Sequence, residues 1–317
     1  MKHVAIGLAC AFLGTLAFGQ QVAVETAIPR YQRTSGVSGN VNSIGSDTMN
    51  NLMALWAEAF QKTYPNVKIQ IEGKGSSTGP PALISGTAQF APMSRPLRAT
   101  EIDQFESKFG YKPAEIRTAF DALAVYVNKD NPLEKLTMAQ VDAVFSKTRR
   151  RGGKNAANWG DLGLTGDWAS RPLSLYGRNS ASGTYGFFKE HALKNGDFKD
   201  EVKEQPGSAS VVQGVTEDRF GIGYSGIGYR TSGVKTVALA EKDSFSGGSY
   251  EDVKAGIYPL SRFLYVYINK APGKPLEPLV KEFLRLILSR EGQVVVVKDG
   301  YLPLSAEIVK EELAKLE

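Results

Sequence analysis

The sequence predicts an α/β fold of two lobes joined by two chain crossings. Three observations lead there. Segments patterned as strands alternate with segments of helical periodicity along most of the chain. Two buried-strand runs of the same character, Leu123-Ala124-Val125-Tyr126-Val127-Asn128-Lys129 and Phe263-Leu264-Tyr265-Val266-Tyr267-Ile268-Asn269-Lys270, stand far apart. A stretch with its own helices and strands separates them, as expected where a chain leaves one lobe and later returns to it. No period of roughly 20–50 residues marks a solenoid.

Taken in order, residues 20–40 are polar and without period, and are expected to form a flexible N-terminal arm. Residues 41–44 read as a short strand. From Thr48 the pattern is helical: Leu52, Trp56 and Phe60 recur every fourth residue beside Met49 and Met53, and Pro65 ends the run. Residues 67–71 alternate as a half-buried strand does. Pro80 and Pro81 suit a first helical turn leading into Ala82-Leu83-Ile84. Residues 89–93 form a strand running into Ser94-Arg95-Pro96. Thr100 opens a helix with Asp103 three residues on, an apolar face of Ile102, Phe105 and Phe109, and Gly110 as its stop. Between the two long strands, residues 137–145 and 185–193 read as helices, 173–176 and 221–224 as strands. One helix is expected over 278–290 and a last one over 306–316.

The chain has 317 residues, 38 basic and 33 acidic side chains, and a formal charge of +5. Its first residues are Met1-Lys2-His3, an apolar run over 4–18, and a small-x-small triplet, Ala17-Phe18-Gly19. This is the pattern of a cleavable secretory signal peptide over 1–19. The run is shorter than the roughly 20 apolar residues a membrane span needs. The only cysteine, Cys10, lies inside it. Read within the signal it leaves a mature chain without thiol chemistry, disulfide or thiolate metal site; read after Leu8-Ala9 it is a lipid-attachment cysteine. Arg149-Arg150-Arg151 is the densest basic run. With Gly-Gly after it, it reads as a solvated loop rather than a nucleic-acid surface.

Three clusters carry the chemistry: Gly45-Ser46-Asp47-Thr48, Gly75-Ser76-Ser77-Thr78-Gly79 and Arg178-Asn179-Ser180-Ala181-Ser182-Gly183-Thr184. Each precedes a helical segment, whose start offers unpaired N–H groups and a positive dipole end. Several such starts with hydroxyls and an arginine would hold a small oxyanion. Each cluster taken singly is also an ordinary capped helix. The second is no Walker loop, because no Gly-Lys-Ser/Thr follows. Catalysis finds little support. His191 is the one histidine beyond the signal and sits mid-helix, and Gly223-Tyr224-Ser225-Gly226 lacks the nucleophile-elbow spacing. One His and no Cys cannot make a zinc site. The aromatics Trp56, Phe60, Phe188, Tyr224 and Tyr229 are read as core.

These segments, in order, resemble the phosphate-binding proteins of bacterial ABC transporters. The resemblance spans roughly residues 40 to 305. It rests on Gly45-Ser46-Asp47-Thr48-Met49, Gly75 to Gly79 with Ala82-Leu83-Ile84, and Phe90-Ala91-Pro92-Met93-Ser94-Arg95-Pro96-Leu97. It continues through Arg178 to Thr184, Gly221-Ile222-Gly223-Tyr224 and Tyr301-Leu302-Pro303-Leu304. It implies a two-lobed, type II periplasmic binding protein of the Venus-flytrap kind, lobe 1 holding 41–121 and 256–317 and lobe 2 holding 122–255. It implies a ligand set of Thr48 (hydroxyl and N–H), Met49 (N–H), Ser76 (hydroxyl and N–H), Arg178 (charged fork), and Ser182, Gly183 and Thr184 (N–H groups and hydroxyls). Ser46 and Ser94 join that set as neighbours in the motifs. The implied function is binding of inorganic phosphate between the lobes and delivery to ABC permease subunits in the inner membrane. No enzymatic activity, cofactor, metal or nucleic-acid partner is expected, and the protein is expected to be a periplasmic monomer.

Two departures bear on selectivity. The best-known family members carry an aspartate where this chain has Ser94, and often an acid where it has Ser180. An aspartate accepts the proton of a protonated phosphate and repels sulfate; a serine accepts without repelling. Asp47 is the nearest carboxylate in sequence, and either takes over as proton acceptor or caps its helix facing away. Arg95 either adds charge to the site or pairs with a carboxylate across the cleft. Another oxyanion (sulfate, molybdate or tungstate) is the alternative ligand, and a secreted phosphate-ester hydrolase the alternative class.

Overall fold

The computed structural model describes residues 22–317. The signal sequence expected over 1–19, and Cys10 within it, lie outside the described residues.

The chain begins with a parallel pair, β1 (Gly39–Ile44) and β2 (Val67–Glu72), connected through a 3-10 turn at Asp47–Met49 and α1 (Asn50–Thr63). A second 3-10 turn, Ser76–Thr78, leads into α2 (Gly79–Ser85), then β3 (Ala91–Met93) and α3 (Ala99–Phe109). The long strand β4 (Ala114–Asn128) follows, then β5 (Lys135–Thr137), α4 (Met138–Phe145), β6 (Ser174–Arg178) and α5 (Gly183–His191). Next come β7 (Lys203–Gln205), α6 (Ser208–Glu217), β8 (Gly221–Gly226), β9 (Val234–Thr236), β10 (Ala238–Ala240) and α7 (Tyr250–Lys254). The chain ends with β11 (Ser261–Ile268), α8 (Pro278–Ile287), α9 (Arg290–Lys298) and α10 (Ala306–Ala314).

The main sheet has the order β3-β11-β4-β8-β6-β7, with β9 also on β4. β4 holds it together by changing partners midway. It runs antiparallel to β11 from Ala114 to Ala122, and from Leu123 to Val127 it pairs with β8. Every residue from Thr118 to Asn128 is buried, because both faces are covered; this is why the segment reads as an unbroken apolar run rather than an alternation. α1 buries Leu52, Met53, Trp56 and Phe60, as its four-residue spacing requires. Trp56 Nε1 donates to Gly292 O at 2.9 Å, which satisfies the one polar atom of that buried ring.

Several expectations need correction. The arm at 22–38 has no regular structure but is docked. Ile28 is fully buried. Arg290 N donates to Pro29 O at 2.9 Å, and Tyr31 OH joins Tyr64 and Glu282 at 2.8 and 2.9 Å. These partners outside the arm lie 30 or more residues away, beyond the reach of local patterning. The single helix expected over 278–290 is two, because the Ser289 hydroxyl accepts from Gly292 N and starts α9 afresh. At α3 it is Glu101, not Asp103, that caps, accepting from Arg98 N at 2.8 Å. α1 begins at Asn50 after the 3-10 turn rather than at Thr48. α6, α7 and the short strands β5, β7, β9 and β10 were not predicted. Arg151 is no solvated loop residue: its guanidinium donates to Ala192 O and His191 O at the end of α5.

Candidate anion-binding site

Three turns meet at one point. After β1, Gly45 N donates to Glu72 O and Ser46 N to Pro92 O, which sets the 3-10 turn carrying Asp47 and Thr48. After β2, Gly75 takes φ +121°, and its N–H donates to Gly45 O, so the second turn rests on the first. A Cβ at Gly75 would come 2.6 Å from Ala181 O. That close approach lets Ser77 N donate to Ala181 O at 3.1 Å. The third turn follows β6. Ser182 caps α5 there, its hydroxyl accepting from Thr184 N and Tyr185 N at 3.1 and 3.3 Å.

The polar side chains of these turns are buried together. Ser46, Thr48, Ser76, Ser94, Arg178, Ser182 and Thr184 are each at most 2% exposed, a cluster that needs a reason because buried polar groups cost stability unless partnered. Thr48 Oγ1 and Thr184 Oγ1 are 2.9 Å apart. Ser76 Oγ accepts from Ser94 N at 3.1 Å and lies 3.3 Å from Ser94 Oγ. Gly183 packs directly on this pair: a Cβ there would stand 2.3 Å from Ser76 Oγ and 2.6 Å from Ser94 Oγ. The first N–H groups of the helices have no carbonyl four residues back to accept them.

Arg178 ends β6. Its Nη1 donates to Ser208 Oγ at 2.6 Å and its Nη2 to Pro206 O at 3.1 Å, while the buried Nε has no partner. Burial pulls its pKa below the usual arginine value, against the nearby Asp47 carboxylate. Asp47 Oδ2 stands 3.1 Å from Nη2 and also accepts from Ser208 N at 2.8 Å, at the start of α6. The carboxylate therefore faces the arginine, not outward as a cap. Beneath Arg178, Tyr224 OH accepts from Arg178 N, and its ring stacks on Phe188 with centroids 3.9 Å apart. Tyr229 is not purely a core residue, since its OH donates to Asp47 O at 3.0 Å.

Not every expected residue contributes as expected. Met49 N donates to Ser46 O at 3.3 Å, so that N–H is already used. Ser46 is buried with its hydroxyl unpartnered. Ser180 is exposed. Arg95 does not pair across the cleft: it forms a two-pronged ion pair with Glu101, six residues on, at 2.7 and 2.8 Å, and its Nη2 also donates to Ser77 Oγ of the second turn at 3.4 Å. His191 packs on the Phe187 ring, 4.1 Å between centroids. Among the described residues no group of three or more His, Cys, Asp or Glu could hold a metal ion.

Sequence reasoning missed two residues. Arg262 on β11 donates to Asp121 Oδ2 from Nε and Nη2, at 2.8 and 2.7 Å, to Ser94 O from Nη1 at 2.7 Å, and to Thr184 Oγ1 from Nη2 at 3.0 Å. Both side chains of this ion pair are buried. A lone Arg after Tyr258-Pro259-Leu260-Ser261 carries no motif, and its partners lie 78 to 168 residues away.

The pattern of the PBP superfamily domain matches residues 32–291. The chain is 56% identical over 319 residues to the phosphate-binding protein PstS of Pseudomonas aeruginosa, covering 100% of this chain and 99% of that relative. Its fold is similar to that of a Clostridium perfringens protein solved with bound phosphate, with TM-score 0.71 and 25% identity over 84% of this chain and 100% of that one. An ABC-type phosphate transport receptor from Vibrio cholerae shares the fold with TM-score 0.65 at 22% identity, covering 83% of this chain and 100% of that one.

Proposed function

The chain belongs to the PstS family of phosphate-binding proteins, and on that premise we propose how it holds its ligand. It binds inorganic phosphate for an ABC phosphate transporter and performs no chemistry on it. The anion sits among the three turns. Arg178 supplies the positive charge, Thr48, Ser76, Ser182 and Thr184 supply hydroxyl donors, and Gly183 supplies an N–H at the start of α5. Ser46, Ser94 and Met49 line the same place. Asp47 neutralises Arg178 from the other side, in the role an acid at position 180 would otherwise fill.

The observation that carries this reading is Arg178. The guanidinium is 1% exposed and balanced by Asp47, but its buried Nε has no partner, and a buried unpaired donor is costly unless a ligand completes it. The hydroxyls beside it provide the fixed donors that replace the water a buried phosphate gives up.

Residues 41–121 with 256–317 form one lobe and 122–255 the other, hinged where β4 changes partners. Closure of the lobes around phosphate marks the loaded state. The protein works outside the cytoplasm, in the periplasm once its leader is removed, as a monomer that hands phosphate to permease subunits in the inner membrane.

Calorimetry on protein stripped of ligand by unfolding and refolding tests the site. Wild type takes up one phosphate per chain, and Arg178→Met raises Kd on the order of 30- to 3,000-fold. An Arg178→Met protein that binds like wild type removes the site from these three turns.

A further inference from the structure

We infer that Arg262 is a further specificity-determining and positioning residue of the phosphate site, acting from the hinge strands through the Thr184 hydroxyl. The inference rests on the phosphate-binding reading above and adds to it a residue outside the three turns.

Hydrogen-bond polarity is the first ground. A guanidinium has five N–H donors and no acceptor. At 3.0 Å, Arg262 Nη2 must therefore donate into a lone pair of Thr184 Oγ1. The Thr184 proton is then turned away from Arg262, toward Thr48 Oγ1 at 2.9 Å and the space an anion oxygen would share. Two neighbours are prepared in the same way. Ser182 Oγ accepts from two backbone N–H groups, and Ser76 Oγ accepts from Ser94 N. Ser182 has both lone pairs engaged and Ser76 and Thr184 one each, so the three hydroxyl protons are turned away from those donors. Arg262 supplies that polarity at Thr184, where the backbone does not.

The second ground is location. Arg262 and Asp121 lie opposite one another on β11 and β4, the strands that carry the chain between the two groups of elements. Asp121 Oδ1 also accepts from Ile227 N at 3.1 Å, immediately after β8. Arg262 Nη1 holds Ser94 O at 2.7 Å, which fixes the turn whose N–H orients Ser76. One side chain thus ties the hinge to a donor on each side of the site. Its face rests on the Phe187 ring, 5.3 Å from guanidinium carbon to centroid, so the fork has little freedom to rotate. The Asp121 carboxylate balances its charge, so the effect on the ligand comes through oriented donors rather than net attraction.

This predicts selectivity of a particular kind. A site whose hydroxyls are fixed as donors gives no acceptor to the proton that phosphate keeps at neutral pH, and so suits a fully ionised oxyanion such as sulfate. Freeing the Thr184 hydroxyl to accept should therefore cost sulfate more than phosphate.

The test is a double-mutant cycle read by calorimetry, with sulfate as competitor. Arg262→Lys keeps the charge and loses the fork; Thr184→Val loses the hydroxyl. Each single variant is expected to weaken phosphate binding about 10- to 100-fold, and the double variant no more than the weaker single one. The phosphate-to-sulfate affinity ratio is expected to rise in Arg262→Lys. Losses that multiply in the double variant, or a folded Arg262→Lys protein within twofold of wild type, would overturn the inference. Where Arg262→Lys fails to fold, Arg262→Met with Asp121→Leu removes both buried charges together, a change buried pairs often tolerate. That pair is expected to fold and still bind phosphate weakly; wild-type affinity in it overturns the inference. Absence of phosphate binding in wild type would instead sink the functional reading on which this one rests.

Discussion

Asp47 and Arg178 face each other across the junction of the two groups of elements, 3.1 Å from carboxylate to guanidinium. The arginine is fully buried and the aspartate is partly exposed at its rim. Asp47 also accepts from Ser208 N at the start of α6, so one carboxylate holds two parts of the opposite side. Under the proposed lobe closure, opening the junction would strip Arg178 of its counter-charge.

Asp47→Asn is therefore expected to weaken phosphate binding about tenfold, with phosphate and sulfate affinity falling together. Scattering from the ligand-free variant should show a more open particle than wild type. A variant that keeps its phosphate affinity but loses its preference over sulfate would instead make Asp47 the acceptor of the phosphate proton.

Gly183→Ala puts a Cβ within 2.3 and 2.6 Å of the Ser76 and Ser94 hydroxyls. Overpacking of this kind costs about 1–3 kcal/mol, or about 5- to 150-fold in Kd if the clash exists only in the closed state. Calorimetry should show that loss while the melting temperature without ligand stays near wild type. A large drop in melting temperature would mean that the contact persists when the lobes part.

The docked arm makes a stability prediction. Ile28 is fully buried, so Ile28→Ala should cost about 2–5 kcal/mol in urea unfolding. A loose arm would give no measurable change.

Asp299, at the end of α9, is pushed up to about 6 by burial, against a hydrogen bond from Asn51. Its folded pKa lies above the ordinary aspartate value, so the folded state holds the proton more tightly than the unfolded one. The stability this provides is fully present below about pH 4 and is lost as pH rises through about 6. Asp299→Asn should flatten that part of the stability–pH curve, as urea midpoints between pH 4 and 7 would show. Parallel curves for the two proteins would contradict it.

Much of this site is legible in the sequence because helix starts are local. Ser182 caps α5 through N–H groups two and three residues on, and Gly75 and Gly183 stand where a side chain would clash. Apolar runs that are mostly buried make β4 and β11 visible as well. Arg262 and Asp121 are invisible for the opposite reason. They pair 141 residues apart, on strands whose own pattern is satisfied without them. The break at Ser289 was hidden because apolar spacing continues on both sides of it, and only the cap at Gly292 N reveals it. α6 was missed because its first turn, Ser208-Ala209-Ser210, follows Pro206-Gly207 and reads as loop; tertiary bonds from its first N–H to Asp47 help fix its start.

The most direct measurement is a crystal structure of the protein with phosphate. The account predicts one phosphate within hydrogen-bonding distance of the Arg178 guanidinium, the Thr48, Ser76 and Thr184 hydroxyls and the Gly183 N–H, with Asp47 still on Arg178 and Arg262 still on Thr184. Phosphate held elsewhere, or at these turns without Arg178, would contradict it.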